Sequence, residues 1–327
     1  MPRQARLDIP GTLHHVIVRG IERRKIVTDD QDRQDFVSRM GTIASETETA
    51  VYAWALMSNH AHILLRSGPS GLSRYMRRLL SGYAVSYNRR HRRHGHLFQN
   101  RYTSIVCEED PYFKELVRYI HLNPLRAKLV ESLARLDRYR WCGHSVLMGR
   151  IKGDWQDRDY VLKWFGVKEG EAKKAYRRFV KGGIDQGHRS DLVGGGLIRS
   201  YGGWSAVKAM RRLGVHEKSD ERILGKGEFV DRILNEADER LKYQLAGNKG
   251  GQQIGEVIER VCEEENINSH ELRMGSRRRR ISQVRAQIVG QLVENFGIPL
   301  AEVGRQVGVS TSAISKSLSR RDRQKST

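Results

Sequence analysis

The amino-acid sequence predicts an α+β protein: a β-sheet domain at the start, followed by an all-α region that ends in a helix-turn-helix. Three features point to it. Short strand-like runs, the alternating Leu13–Gly20 and the apolar stretches on either side of Ser58-Asn59, are interleaved with helical stripes over the first 125 or so residues. Helical periodicity dominates from about Asp154 onward. No apolar run approaches the ~20 residues needed to cross a bilayer.

Leu13 to Gly20 alternates well enough for a first strand. Asp29 to about Ser45 follows as a helix, with Asp29 or Asp30 as its cap and Phe36, Met40 and Ile43 as its stripe. Ala53-Trp54-Ala55-Leu56-Met57 and His60 to Leu65 are two apolar strands joined tightly at Ser58-Asn59. Leu72 to about Arg90 places Leu72, Tyr75, Met76, Leu79, Leu80, Tyr83 and Tyr87 on one helical side and arginines on the other. Leu97 to Cys107 reads as a fourth strand. Asp110-Pro111 opens a helix carrying Phe113, Leu116, Val117, Tyr119 and Ile120. The order β-α-β-β-α-β is that of a ferredoxin-like antiparallel sheet, expected over residues 1–150 with helices on one face and the other face left for a polyanion. Residues 151–275 are expected to be a helical linker region, and residues 276–327 a separate DNA-binding unit.

Charge narrows the function. Lys and Arg outnumber Asp and Glu by 59 to 38, a formal charge of +21. A chain this basic is expected to meet nucleic acid. Between Arg66 and Cys107 there is no Asp or Glu, while Arg74, Arg77, Arg78, Arg89, Arg90 and Arg101 all fall there. Arg277, Arg278, Arg279 and Arg280 open the C-terminal segment. Cys107, Cys142 and Cys262 show no CxxC spacing, which argues against a structural zinc site or a disulfide framework. The start of the chain lacks a secretory signal, so the expected location is cytoplasmic, with no membrane partner.

His60-Ala61-His62 is the sharpest local feature. Residues two apart on a strand share a face, so both imidazoles can aim at one cation. The bland reading is two polar residues at a strand start. Tyr119 and Asn123, at i and i+4, share a helical face, so a phenol and an amide oxygen could approach that pair. Pro124 is expected to push Asn123 out of helical geometry, making it a cap for a following helix, while His121 should face elsewhere.

Near the end, Ile281 to Phe296 forms a sustained helical face closed by Gly297. Leu300 to Val307, a turn at Gly308-Val309-Ser310, and Thr311 to Ser319 match a helix-turn-helix with Val303, Val307, Val309 and Ile314 as its shared core. Ser310, Thr311, Ser312, Ser315 and Lys316 would then face the major groove of duplex DNA, and Arg277 to Arg280 its backbone.

Together, Met57 to Leu65, the basic helix before Gly95 to Tyr102, and Tyr119-Ile120-His121-Leu122-Asn123-Pro124 resemble the single-tyrosine HUH transposases. The group they are most similar to is the REP-associated tyrosine transposases, relatives of the IS200/IS605 enzymes. The resemblance covers residues 1–150. It implies a metal-dependent nuclease and strand transferase that acts on single-stranded or hairpin DNA. It implies Tyr119 as nucleophile, His60, His62 and Asn123 as ligands of Mg2+ or Mn2+, a 5′-phosphotyrosine intermediate, and a homodimer. The stretch from Arg278 to Ser319 resembles the DNA-binding domain of the replication initiator DnaA. Two other classes compete: a sequence-specific DNA-binding regulator with a vestigial catalytic domain, and an RNA-binding sheet. The second lacks the aromatic residues expected on the central strands.

Overall fold

In the computed structural model, β1 (Leu13–Arg19), β2 (Ala50–Leu56), β3 (His60–Arg66) and β4 (Thr103–Cys107) form from the alternating runs. The structure describes residues 6–99, 102–187, 189–194, 218–247, 250–276, 278–295, 300–314 and 316. The four strands pair antiparallel in the order β2-β3-β1-β4, as the ferredoxin-like topology requires. A fifth strand, β5 (Ile223–Leu224), comes from the region expected to be helical and pairs parallel with β4. The fourth strand is shorter than expected. Phe98 makes only an isolated bridge to Gly20, and Asn100 and Arg101 lie outside the described residues.

Helices α1 (Asp30–Glu46) and α2 (Gly71–Arg90) match their stripes, and the Asp29 side chain caps α1 by accepting from the Asp32 N–H. They cover one sheet face, where Val16, Val18, Trp54, Ile63 and Leu65 meet Phe36, Met40, Tyr75 and Tyr83. The opposite face, expected to be open, is covered too. Leu13, Ala53, Ala55, Leu64 and Ile105 pack against Phe113, Leu116, Val117 and Ile120 of α3 (Glu109–Arg126). The reason lies in the strands themselves. β2 places apolar side chains on both faces, Val51, Trp54 and Leu56 on one and Tyr52, Ala53 and Ala55 on the other, and Leu13, Leu64 and Ile105 extend the second apolar patch, which cannot be left in water without a large hydrophobic cost. Four further helices, α4 (Leu133–Leu136), α5 (His144–Leu147), α6 (Arg158–Lys163) and α7 (Glu169–Lys181), back α3 through Leu136, Leu147, Val161 and Tyr176. A nucleic acid therefore cannot lie flat on this sheet.

α3 does not break before Pro124. Proline lacks the N–H that would bond the Ile120 carbonyl. The Asn123 side chain fills that gap, its Nδ2 donating to the carbonyls of Tyr119 at 3.1 Å and Ile120 at 3.4 Å. The helix starts at Glu109 rather than at Asp110, with Pro111 in its first turn, where no donor is needed.

Behind α3 runs a directed chain of buried hydrogen bonds. The Asp137 carboxylate accepts from His144 Nε2 (2.9 Å), so His144 Nδ1 accepts the Tyr176 hydroxyl (2.6 Å), and the Tyr176 oxygen accepts from His121 Nδ1 (2.8 Å). Arg177 holds the far carboxylate oxygen of Asp137 at 2.9 Å. His121 thus faces away from Tyr119, as expected, and fixes α3 to α5 and α7.

The chain divides into two compact units, Met1–Ala237 and Asp238–Thr327, so the expected linker region is shared between them. The remaining helices are α8 (Gly227–Gly247), α9 (Gly250–Glu264), α10 (Ser269–Arg273), α11 (Arg279–Gly290) and α12 (Leu300–Gln306), with a single π turn at Gln291–Asn295. In the second unit Val257, Ile258, Val261, Leu272, Val284, Ile288, Val303, Val307 and Ile314 share one core, and Val309 packs on it partly buried. Gly308 makes the turn with φ +68°, where a Cβ would meet the Arg273 carbonyl. Residues 311–314 are helical. Gly297 and Ser317 lie outside the described residues.

Buried Arg285 ties this unit together, donating to the carbonyls of Leu272 (2.8 Å), Ser276 (2.9 Å) and Val307 (3.1 Å). Arg285→Met is expected to strand three carbonyls and to destabilise this unit by about 3 kcal/mol. Hydrogen-exchange protection of α9 and α11 reads that loss directly, and unchanged protection would contradict it.

Candidate active site

The pleat decides which side chains meet. On β3, His60, His62 and Leu64 share the face that packs on α3, and on β1 so does His15. Tyr119 and Asn123 sit one turn apart on α3. The structure brings all of these together within one chain. The His62 and Tyr119 ring centroids lie 5.7 Å apart, nearly perpendicular, and those of His60 and His62 lie 5.2 Å apart. Tyr119 is 4% exposed and His62 5% exposed, so the nucleophile candidate sits at the base of the site.

Each polar group has an orienting partner. His60 Nδ1 lies 2.7 Å from Asn59 Oδ1, and Asn59 Nδ2 donates to the Arg23 carbonyl at 3.1 Å, which fixes that amide's orientation. His60 therefore carries its proton on Nδ1 and its lone pair on Nε2. Asn123 is fixed in the same way. Its NH2 faces two carbonyls, so Oδ1 is turned the other way. His62 Nδ1 lies 2.9 Å from His15 Nε2, and His15 Nδ1 lies 2.9 Å from the Leu192 carbonyl.

Burial and the charge of Arg19 lower His60 from the ordinary 6.5 to about 4, and burial lowers His15 to about 4. Both imidazoles are neutral at pH 7. Burial pushes the Tyr119 phenol above the ordinary 10, against Arg126 and Arg19, which pull it down, and with Asp191, which adds to the rise. The Arg126 guanidinium lies 5.5 Å from the Tyr119 ring centroid and donates to the Gly183 carbonyl at 3.2 Å. Its Nε and Nη1 are buried without hydrogen-bond partners, a cost carried beside the phenol.

His60, His62, Tyr119, Asn123 and Arg126 line one end of a groove of about 2120 Å³, and Arg74 and Arg77 of α2 line its wall. The other expected arginines differ. Arg78 is paired with Glu46, and Arg90 bridges Asp29 and Asp32, each at 2.5 Å. The acid-free stretch from Arg66 to Cys107 thus finds carboxylates on α1 and at its cap. Arg89 is exposed. In the second unit Arg278 pairs with Glu271 at 3.2 Å, Arg280 donates to the Glu265 carbonyl at 2.8 Å, and Arg279 is exposed. Ser310, Thr311, Ser312 and Lys316 are exposed, while Arg101, Arg277 and Ser315 lie outside the described residues.

Sequence reasoning missed His15, Arg126 and the Leu192 carbonyl. His15 could have been placed only with the β1–β3 register, which pairs it across from Leu64. Arg126 lies seven residues after Tyr119 on the same helical face, a relation hidden by the expected break at Pro124.

Among the described residues no three His, Cys, Asp or Glu side chains are grouped to hold a metal ion, and no helix is long and apolar enough to cross a membrane. No curated protein matches the chain. A solved structure entitled "Structure of the REP associates tyrosine transposase bound to a REP hairpin" is similar at 17% identity, over 48% of this chain and 94% of that one, with a TM-score of 0.40. Residues 10–123, which run from just before β1 to Asn123 and hold the two histidines and the tyrosine, match the family model described as "Transposase IS200 like".

Proposed function

We propose that the first unit cuts and rejoins single-stranded DNA, hairpins included, through a covalent tyrosyl intermediate on Tyr119. The observation that carries this reading is the packing of Tyr119 against His62, which in turn packs on His60, at the end of an arginine-walled groove. A groove rather than an open sheet suits a splayed strand, whose phosphates Arg74 and Arg77 would track.

In the reaction, the Tyr119 hydroxyl proton passes to water in the groove and the oxygen lone pair forms a bond to the scissile phosphorus. The P–O3′ bond breaks, its electron pair stays on O3′, and O3′ takes a proton from water. The products are a 3′-hydroxyl and a 5′-phosphate esterified to Tyr119. Attack of another 3′-hydroxyl on that ester reverses the chemistry and joins strands without a nucleotide cofactor. A phenol raised by burial is a poor nucleophile at neutral pH, so the step requires positive charge near the phosphate.

The residues present fit a divalent ion of the Mg2+ or Mn2+ class. His60 Nε2, His62 Nε2 and Asn123 Oδ1 form a neutral N2O donor set whose other polar atoms are already engaged. Such an ion, when bound, supplies charge stabilisation to a non-bridging phosphate oxygen. In the second unit the turn at Gly308, the exposed Ser310, Thr311, Ser312 and Lys316, and the neighbouring arginines support a helix-turn-helix that docks on duplex DNA.

The test is incubation of the whole chain with a pool of 3′-labelled single-stranded hairpin oligonucleotides, with Mn2+ or with chelator. A 5′-phosphotyrosine leaves the 3′ portion of the DNA on the protein, so the label should migrate with denatured protein only when the ion is present. Tight duplex binding with no adduct on any strand would instead favour a DNA-binding regulator.

A further inference from the structure

We propose that His15 is a positioning residue for the histidine pair: braced by the Leu192 carbonyl, it accepts the Nδ1–H of His62 and so leaves the His62 lone pair on Nε2. This deepens the proposed metal-assisted reading and rests on it for its function, although its geometry stands alone.

Proton counting fixes the relay. A carbonyl oxygen can only accept, so the 2.9 Å contact to Leu192 O requires a proton on His15 Nδ1. A neutral imidazole carries one N–H, which makes His15 Nε2 an acceptor. The 2.9 Å contact from His62 Nδ1 to that nitrogen then places the His62 proton on Nδ1. Both strand histidines end in one tautomer, but through different devices. His60 is set locally by its neighbour Asn59, and His62 by a residue 47 positions away on the adjoining strand. The His15 and His62 rings also stack, with centroids 5.2 Å apart and planes inclined by 27°, which restricts ring rotation.

The brace has a second implication. Leu192 lies beyond residues 10–123, in a short 3-10 turn (Ser190–Leu192) whose side chain is buried in the α3 core. Arg189 anchors the turn by pairing with Glu115 of α3 at 3.2 Å and Asp191 at 2.7 Å. The extension past the matched stretch thus supplies a main-chain atom that orders the site from behind. Neither β1 nor β3 could provide that acceptor, because their carbonyls are committed to the sheet.

The experiment uses 15N-labelled full-length protein, free of metal, and reads the His62 tautomer by long-range 1H–15N correlation. Wild type is expected to show one His62 species with the proton on Nδ1. His15→Phe, which fills the space but accepts nothing, should move His62 largely to the Nε2–H form favoured by free side chains. His15→Gln, whose amide oxygen reaches the former Nε2 position, should restore the wild-type pattern. Titration with Mn2+ alone should then show affinity about 10- to 100-fold weaker for His15→Phe and within about 3-fold of wild type for His15→Gln. A wild-type proton on Nε2 would overturn the proposal, as would a His62 tautomer unchanged in His15→Phe. If His15→Phe does not fold, the wild-type tautomer and His15→Gln still decide it. Absence of Mn2+ binding by wild type, with the tautomers as expected, would remove the metal reading and leave the relay standing.

Discussion

Tyr119→Phe is expected to abolish the covalent protein–DNA adduct, lowering its yield by on the order of 10³-fold or more, because Tyr119 supplies the hydroxyl, on a ring that packs directly on His62. Phenylalanine keeps the ring that packs edge-on against His62 and His15, whose centroids lie 5.7 and 6.0 Å from that of Tyr119. Fold stability should therefore change by no more than about 1 kcal/mol, and binding of a single-stranded hairpin by no more than about 3-fold. Denaturing electrophoresis of 3′-labelled DNA with wild type and variant side by side measures the first quantity, and thermal melting and fluorescence anisotropy the other two. Adduct persisting in the variant would assign the nucleophile elsewhere. The His121 hydrogen-bond chain to Tyr176 turns away from the groove, so it offers no substitute phenol.

Acid is expected to unfold the first unit well before it protonates most carboxylates. Burial lowers His14 and His15 to about 4, and lowers His121 and His144 below the ordinary 6.5 as well. A histidine depressed in the folded state binds its proton in the unfolded chain first. Its stabilisation is complete above pH 6.5 and drains away as pH falls toward the folded value. At pH 5, His14 and His15 alone should cost about 2 kcal/mol each relative to pH 8, a large share of a typical 5–15 kcal/mol. His14 shows why relaxation is difficult. Its Nε2 lies 2.8 Å from the Thr12 hydroxyl, which itself donates to Ile9, and its Nδ1 is buried with no hydrogen-bond partner to receive a new proton. Asp137, raised by burial but held below 3.8 overall by hydrogen bonds from His144 and Arg177, loses its contribution only at lower pH. All five tryptophans lie within Met1–Ala237, so urea melts followed by tryptophan fluorescence isolate this unit. A midpoint flat between pH 8 and 5 would show that these imidazoles are not buried neutral.

The strands, α1 and α2 were legible because alternation and 3.6-residue periodicity are local properties, whereas the meeting of the histidine strand and the tyrosine helix was implied only by the family resemblance, which left open whether it forms within one chain or across two. What was hidden depended on distant partners. The edge strand Ile223–Leu224 is only two residues long and exists because β4 offers it an unpaired edge. The covering of both sheet faces needed the positions of α3 to α7, which periodicity does not give. Arg78 and Arg90 look like phosphate contacts in a stretch without acids until α1 folds its carboxylates onto them. Pro124 suggested a helix end, and only the side chain beside it reveals why the helix continues.

Asn123 carries two obligations with one amide: its nitrogen mends the ladder opened by the imino acid after it, and its oxygen is the third donor of the proposed metal set. Aspartate would keep an oxygen and lose the repair, while glutamine would carry both atoms a methylene too far from the main chain. The repair couples the two positions: with a residue other than proline at 124 the Ile120 carbonyl would have its own N–H, and longer or charged side chains could stand at 123.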